Sequence, residues 1–269
     1  MRTLFHIIFL GFIVFTSCQN FDTAVESKKD NPITFTTLFS KVSVKTSGIT
    51  FHNRIEETPE LNYLTYNNIF SGGGVAVGDI NNDGLPDIYF TGNQVEDKLY
   101  INKGNLQFED VTKTAITSGN KGWHRGVTMV DINNDGYLDI YVCRSGWQPD
   151  VAMRTNLLYI NNGNTTFTEA ATQYGLADTS HSTQAAFFDY DKDGDLDCYV
   201  LNHPPERRPD QKPFTVEAVK QLVAEGKAES DRLYRNDGNN FYTDVTHEAG
   251  LYNFAYGLGI GISDFDNNG

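Results

Sequence analysis

Residues 79–87 read DINNDGLPD, residues 131–139 read DINNDGYLD and residues 189–197 read DYDKDGDLD. A fourth copy opens at Asp264 with DFDNNG and runs to Gly269, the last residue of the sequence. Oxygen-bearing residues at positions 1, 3, 5, 7 and 9 around an obligatory glycine wrap a hard cation such as Ca²⁺. The recurrence also marks a repeat protein, and a repeat constrains the architecture before any single motif does.

The glycine at position 6 (Gly84, Gly136, Gly194) lets the backbone turn sharply with φ > 0 and no Cβ clash. Side chains at positions 1, 3 and 5 then converge: Asp79, Asn81 and Asp83; Asp131, Asn133 and Asp135; Asp189, Asp191 and Asp193. Position 7 would offer its carbonyl (Leu85, Tyr137, Asp195), and position 9 would close the shell (Asp87, Asp139, Asp197). The fourth loop contributes Asp264, Asp266 and Asn268. A donor set of oxygen alone selects Ca²⁺ over zinc or copper, so the expected cofactor is one structural Ca²⁺ per loop. An EF-hand would need Glu at position 12 and flanking helices. Position 12 is instead Phe90, Val142 or Val200, within the β-type runs DIYFTG, DIYVCRSG and DCYVLNH. A solvated Asp/Asn/Gly turn explains one such motif; three in matching contexts argue for cation loops.

Each loop sits in a unit with four strand-like pieces. The first enters the loop (GGGVAVGD, GVTMVD, QAAFFDYD, GLGIGISDFD) and the second leaves it. The third is KLYINKG, LLYINNG or RLYRNDG, and the fourth is FEDVT, FTEAA or FYTDVT. Loop starts at 79, 131, 189 and 264 give a spacing near that of kelch or WD40 repeats. The fold class is therefore all-β, a β-propeller of four-stranded blades. The glycines within residues 72–78 and 257–261 do not fit G-x-G-x-x-G before a helix, and read as packing glycines near the axis.

The units resemble FG-GAP/VCBS repeats, the calcium-loop blades of integrin α-subunit propellers. Residues 62–87, followed by KLYINKGNLQFEDVT, resemble bacterial lipoproteins of the cartilage-acidic-protein type, which often end in an ASPIC/UnbV domain. The resemblance covers residues 36–269 and implies seven blades, calcium between first and second strands, and an extracellular binding role. This sequence departs from the pattern in its incomplete fourth loop and in lacking the glycine expected after Ala115. Seven blades need on the order of 420 residues, so a longer chain is expected.

Residues 1–17 carry one Arg and the apolar run 4–15, then Cys18. That is a lipoprotein-type signal with Cys18 as the lipidated residue; an ordinary signal peptide cut nearby is the alternative. Residues 18–35 read as a tether. Residues 36–70 are an expected lead-in with a closing strand within LFSKVSVKTSGI, which resembles a blade's fourth strand. Blades span 71–118, 119–178 and 179–252, the last with a helical insertion at 203–231, and 253–269 starts another. In the insertion Thr215 would cap a helix with Val216, Val219, Leu222 and Val223 on one face.

The net charge is −14, and the loops hold 13 of the 35 acidic residues. Without a cation these carboxylates repel. An acidic chain with no basic stripe excludes a nucleic-acid partner. Cys143 and Cys198 fall on opposite faces of equivalent strands, and a disulfide is not favoured. No H-E-x-x-H or G-x-S-x-G occurs, and His52, His124, His181, His203 and His247 are scattered as surface or loop residues, so no catalytic residue and no enzyme activity is expected.

Loops after strands one and three share one blade edge, which puts the expected calcium on one face. Trp123 (KGWHRG) and Trp147 (RSGWQPD) fall on the opposite face, either as a platform for sugars or protein partners or as covers for their own blade edge. The expected function is an exported, lipid-anchored, calcium-binding module that binds a glycan or protein there and meets the membrane only through its anchor. A scaffold domain of a larger extracellular enzyme and a purely structural envelope lipoprotein are the alternatives.

Overall fold

The computed structural model describes residues 38–119, 121–147, 150–204, 215–225, 231–251, 253 and 255–266. The signal segment, Cys18, the tether and Asn268 lie outside the described residues. The chain divides into two compact units, Met1–Lys41 and Val42–Gly269. Of the first, residues 38–41 are described and carry no helix or strand.

The second unit holds three antiparallel four-stranded sheets, each running in sequence order. The first blade contains β1 (Val75–Gly78), β2 (Asp87–Phe90), β3 (Lys98–Asn102) and β4 (Phe108–Asp110). The second contains β5 (Trp123–Val130), β6 (Asp139–Ser145), β7 (Leu157–Asn161) and β8 (Phe167–Glu169). The third contains β9 (His181–Phe188), β10 (Asp197–His203), β11 (Arg232–Asn236) and β12 (Tyr242–Asp244). The fold is thus all-β. The register is the same at each loop: Gly78 pairs with Asp87, Val130 with Asp139 and Phe188 with Asp197. The position-9 aspartate is therefore the first residue of every second strand.

Two seams hold the blades together. Ile80, Tyr89, Leu99, Ile140, Leu157 and Tyr159 belong to a core joining blades one and two. Tyr141, Cys143, Leu158, Leu176, Cys198 and Val200 belong to one joining blades two and three. Full burial of each large apolar side chain is worth about 1.5–3 kcal/mol. The opposite parity of the cysteines is thereby explained: opposite faces of adjacent blades meet in one seam, and both thiols are free and buried there.

Where first strands approach each other, side chains are excluded. A Cβ on Gly74 would lie 2.7 Å from the carbonyl oxygen of Arg125, and one on Gly126 would lie 2.5 Å from that of Thr183.

The structure differs from the sequence reading at three places. The proposed closing strand is not formed: residues 38–43 are irregular and Val44–Ser47 is one helical turn (α1), capped by Ser43 and ended by Gly48 at φ 74°. The likeness to a blade end was real but lay one element later, because α2 (Thr112–Ala115) and α3 (Ala171–Tyr174) follow fourth strands in the same way. A strand needs a ladder partner, and the described part of residues 38–43 has none. The described residues of 255–266 likewise contain no strand. Finally, His124, His181 and His203 are buried rather than on the surface.

The missing glycine after Ala115 changes only the turn: Ile116 ends α2 in extended conformation, where Gly175 ends α3 at φ 77°. In the insertion, α4 (Val216–Ala224) forms and Thr215 Oγ1 accepts from Ala218 N at 3.2 Å, as an N-cap should. Val216 is exposed, while Val219 and Leu222 are half-buried.

Candidate functional site

The three complete loops share one hydrogen-bond pattern. Asp79 Oδ1 accepts from Asp83 N at 3.1 Å and Asp79 Oδ2 from Gly84 N at 2.7 Å. Asp131 does the same for Asp135 N and Gly136 N at 3.0 and 2.9 Å, and Asp189 for Asp193 N and Gly194 N at 3.2 and 3.1 Å. Position 5 accepts from position 7: Asp83 from Leu85, Asp135 from Tyr137, Asp193 from Asp195. Asn81 Oδ1 and Asn133 Oδ1 converge with the position-1 oxygen on the same position-5 N–H. Gly84, Gly136 and Gly194 have φ of 85°, 89° and 98°, so a side chain would be strained there although the space is open. Asp264 and Asp266 stand in the described part of the fourth copy, outside any strand.

Position 9 does something the sequence did not announce. Asp87, Asp139 and Asp197 are fully buried. Each spends one oxygen on the N–H of position 2 (Ile80, Ile132, Tyr190) at 2.8–3.1 Å. The other oxygen accepts from the last residue of the third strand, Asn102, Asn161 or Asn236, at 2.7–2.8 Å. The amide oxygen of that Asn then accepts from the glycine two residues on, Gly104, Gly163 or Gly238. The N-x-G of KLYINKG, LLYINNG and RLYRNDG is the only sequence trace of this clamp.

Burial raises the proton affinity of all three position-9 carboxylates, with neighbouring loop carboxylates adding to it; Asp139 reaches about 6. Burial, then Asp193, Asp197 and Asp191, raises Asp195 to about 6 as well, and its Oδ1 is buried without a hydrogen-bond partner. Oxygens of Asp189, Asp191 and Asp197 lie within 4.8 Å of one another. In the other two loops position 3 is Asn, so the matching trio holds two carboxylates. Each position-9 oxygen keeps a second lone pair beyond its N–H partner, whereas Asp189 Oδ1 accepts from both Lys192 N and Asp193 N. Converging oxygen-only donors, of which the position-9 carboxylate is buried and Asp195 Oδ1 is orphaned, fit a hard dication.

Adjacent loops touch. Asn82, at φ 57°, donates its side-chain amide to the carbonyl of Gly136 at 2.9 Å. Asn161 Nδ2 crosses the same seam to the carbonyl of Ile80 at 2.8 Å.

The opposite edge of the blades has its own recurring link. Asp97 accepts from Tyr89 Oη at 2.8 Å and from Gly92 N at 2.7 Å, and lies 2.6 Å from His124 Nδ1 of the next blade. Asn156 donates to Tyr141 Oη and Ser182 Oγ, and Asp231 accepts from Tyr199 Oη and Asn202 N. His124 is buried because it is the cross-blade partner in this link.

The paired tryptophan platform is corrected. Trp123 opens strand β5, pairs with Ser145 and is fully buried, with Leu61, Tyr66 and Ile69 around it. Trp147 is 40% exposed and leans edge-on against Trp123 at 5.3 Å. One ring supports the other from below, and only Trp147 presents a surface.

A family model described as an FG-GAP-like repeat matches residues 79–142 and 148–200. Each match begins at or before a loop and ends inside the next second strand. The match supports an FG-GAP repeat protein. The chain is also similar, at 29% identity over 140 residues, to cartilage acidic protein 1 of Xenopus tropicalis. The aligned part is 52% of this chain and 21% of that protein, so the chain spans about a fifth of the relative's length. The three sheets are consistent with FG-GAP blades, and none of them closes on itself.

Proposed function

We propose that this chain belongs to a calcium-stabilised β-propeller that acts outside the cell as a binding module for a glycan or protein. The observation that carries this reading is the loop geometry repeated in three blades, with a buried position-9 carboxylate tied to two backbone N–H groups in each. Asp79, Asn81, Asp83 and Asp87, with their counterparts in the next two loops, would hold the ion. Ca²⁺ would neutralise the desolvated carboxylates and stiffen the turn between first and second strands. The FG-GAP match and the distant likeness to cartilage acidic protein 1 support an extracellular binding role. The segment around Cys18 supports export and a lipid anchor to the outer membrane or cell surface.

The role is non-catalytic. Among the described residues Ser145 Oγ lies 3.1 Å from His203 Nε2, and both residues are buried in the protein. Ligand contact falls to the face away from the loops, where Trp147 is exposed.

Extracellular calcium modules bind at about 10⁻⁴–10⁻³ M. At 10 mM Ca²⁺ each filled site then adds roughly 1.4–2.7 kcal/mol. Thermal melts of the full-length protein lacking the lipid anchor, in Ca²⁺ and in chelator, test the reading. The expected shift is on the order of 10 °C, and it should shrink in Asp83→Ala plus Asp135→Ala. Superimposable melts would mean that the loops are plain turns.

A further inference from the structure

Between blades one and two, on the face away from the loops, lies a cavity of about 690 Å³. Its walls come from the turn after α2, the end of β6 and the 3-10 turn Val151–Met153. Arg144 lines it and is 4% exposed. Its Nη1 donates to the carbonyl of Thr155 at 2.9 Å and its Nη2 to that of Lys121, while Nε is buried without a partner. Among the described residues no carboxylate stands within ion-pair distance of this guanidinium. Residue 122 is glycine, and a Cβ there would sit 2.4 Å from Nη2 and 2.8 Å from Nε, so only a residue without a side chain leaves room beside the guanidinium.

Asp97 and Glu169 act on this buried cation only from beyond ion-pair distance, and a buried charge with no anion in direct contact is costly unless one joins it. The surroundings supply that chemistry in an otherwise acidic protein. Lys113 and Lys121 stand at the exposed rim with Ser118, against one acid, Glu96. Ile116 and Met153 give the wall an apolar part. A guanidinium edge takes a planar carboxylate in two parallel hydrogen bonds. The volume suits a small ligand of one or two rings.

We propose that this cavity binds the carboxylate of an acidic sugar residue, a hexuronate, with Arg144 as its buried anchor and Lys113 and Lys121 as the rim charges. The inference deepens the binding role proposed above and rests on it for the choice of a sugar.

The test is calorimetric titration of the full-length protein, in millimolar calcium, with glucuronate, glucose and acetate. Glucuronate should bind, acetate at least ten-fold more weakly, and glucose not measurably. Arg144→Gln should abolish glucuronate binding. Because that variant removes a buried tie and can fail to fold, Lys113→Gln with Lys121→Gln, both exposed, provides the second arm and should weaken glucuronate about ten-fold or more. No heat with glucuronate, equal binding of glucose, acetate as tight as glucuronate, or full affinity in the double lysine variant would each overturn the proposal. Glucuronate binding that persists where calcium fails to shift the melt would sink the calcium-propeller reading and leave the cavity assignment standing.

Discussion

The carboxylate of Asp139 holds the backbone N–H of Asn161 at 2.7 Å, tying a loop between the first two strands to the end of the third. Its other oxygen holds Ile132 N, so one buried side chain fixes both the loop and the strand beyond it. Position 9 is thus part of the blade's framework as well as a proposed cation ligand.

The two roles separate under substitution. Asp139→Ala leaves two buried N–H groups without acceptors, each worth about 1–3 kcal/mol. The variant should lose about 2–6 kcal/mol in chelator, where metal plays no part, and more in calcium. Asp135→Ala removes an exposed carboxylate and should be near wild type in chelator while losing most of the calcium shift. Urea melts of both variants under both conditions check this; an Asp139→Ala protein as stable as wild type in chelator would refute the framework role.

Stability should depend on pH in opposite senses with and without calcium. An unfolded aspartate titrates near pH 3.9, and burial raises Asp139 to about 6. Between those values the folded protein keeps a proton that the unfolded chain releases, so metal-free stability falls as pH rises from about 4 to about 6 and then levels. In chelator the protein should melt higher at pH 5 than at pH 7. In calcium the order should reverse, because protons compete with the ion for the same oxygens.

A crowded glycine and a turn glycine should respond differently. Gly126→Ala drives a Cβ against the Thr183 carbonyl, a backbone atom that cannot swing aside, and should cost about 1–3 kcal/mol or more. Gly84→Ala meets open space but keeps φ near 85°, a left-handed strain of about 1–2 kcal/mol. The first loss should persist with and without calcium; the second should grow in calcium if the strained turn also displaces a ligand.

The tryptophans should divide stability from binding. Trp123→Ala empties a fully buried site and should cost about 3–5 kcal/mol. Trp147→Ala should leave the melt within a few degrees of wild type and reduce retention on a ligand surface. Retention unchanged in Trp147→Ala would remove this ring from the binding face.

The blade plan was legible because each unit repeats a loop whose glycine, acids and following β-run are fixed in spacing; DINNDGLPD and DINNDGYLD carry it almost alone. Strand ends followed from the same register, Gly78 to Asp87 and its equivalents. The third-strand clamp was not legible, since Asn102 and Asn161 look like turn residues until their N–H groups are seen meeting position 9. Arg144 was missed because a lone Arg in a strand reads as exposed, and its burial depends on Gly122 and on a turn ten residues further along. The exposed tryptophan pair failed for a related reason: KGWHRG reads as a loop, yet Trp123 starts a strand that the lead-in segment covers through Tyr66.

The amide of Asn82 resting on the carbonyl of Gly136 joins the first loop to the second at the glycine around which the second loop turns. An ion that pulls Gly136 into place also sets the acceptor for Asn82. Filling should therefore spread between neighbours as in a one-dimensional array, with the occupancy of one loop raising the affinity of the next. The loop face would then respond to calcium over a narrower concentration range than any single loop could, and the blades would stiffen together.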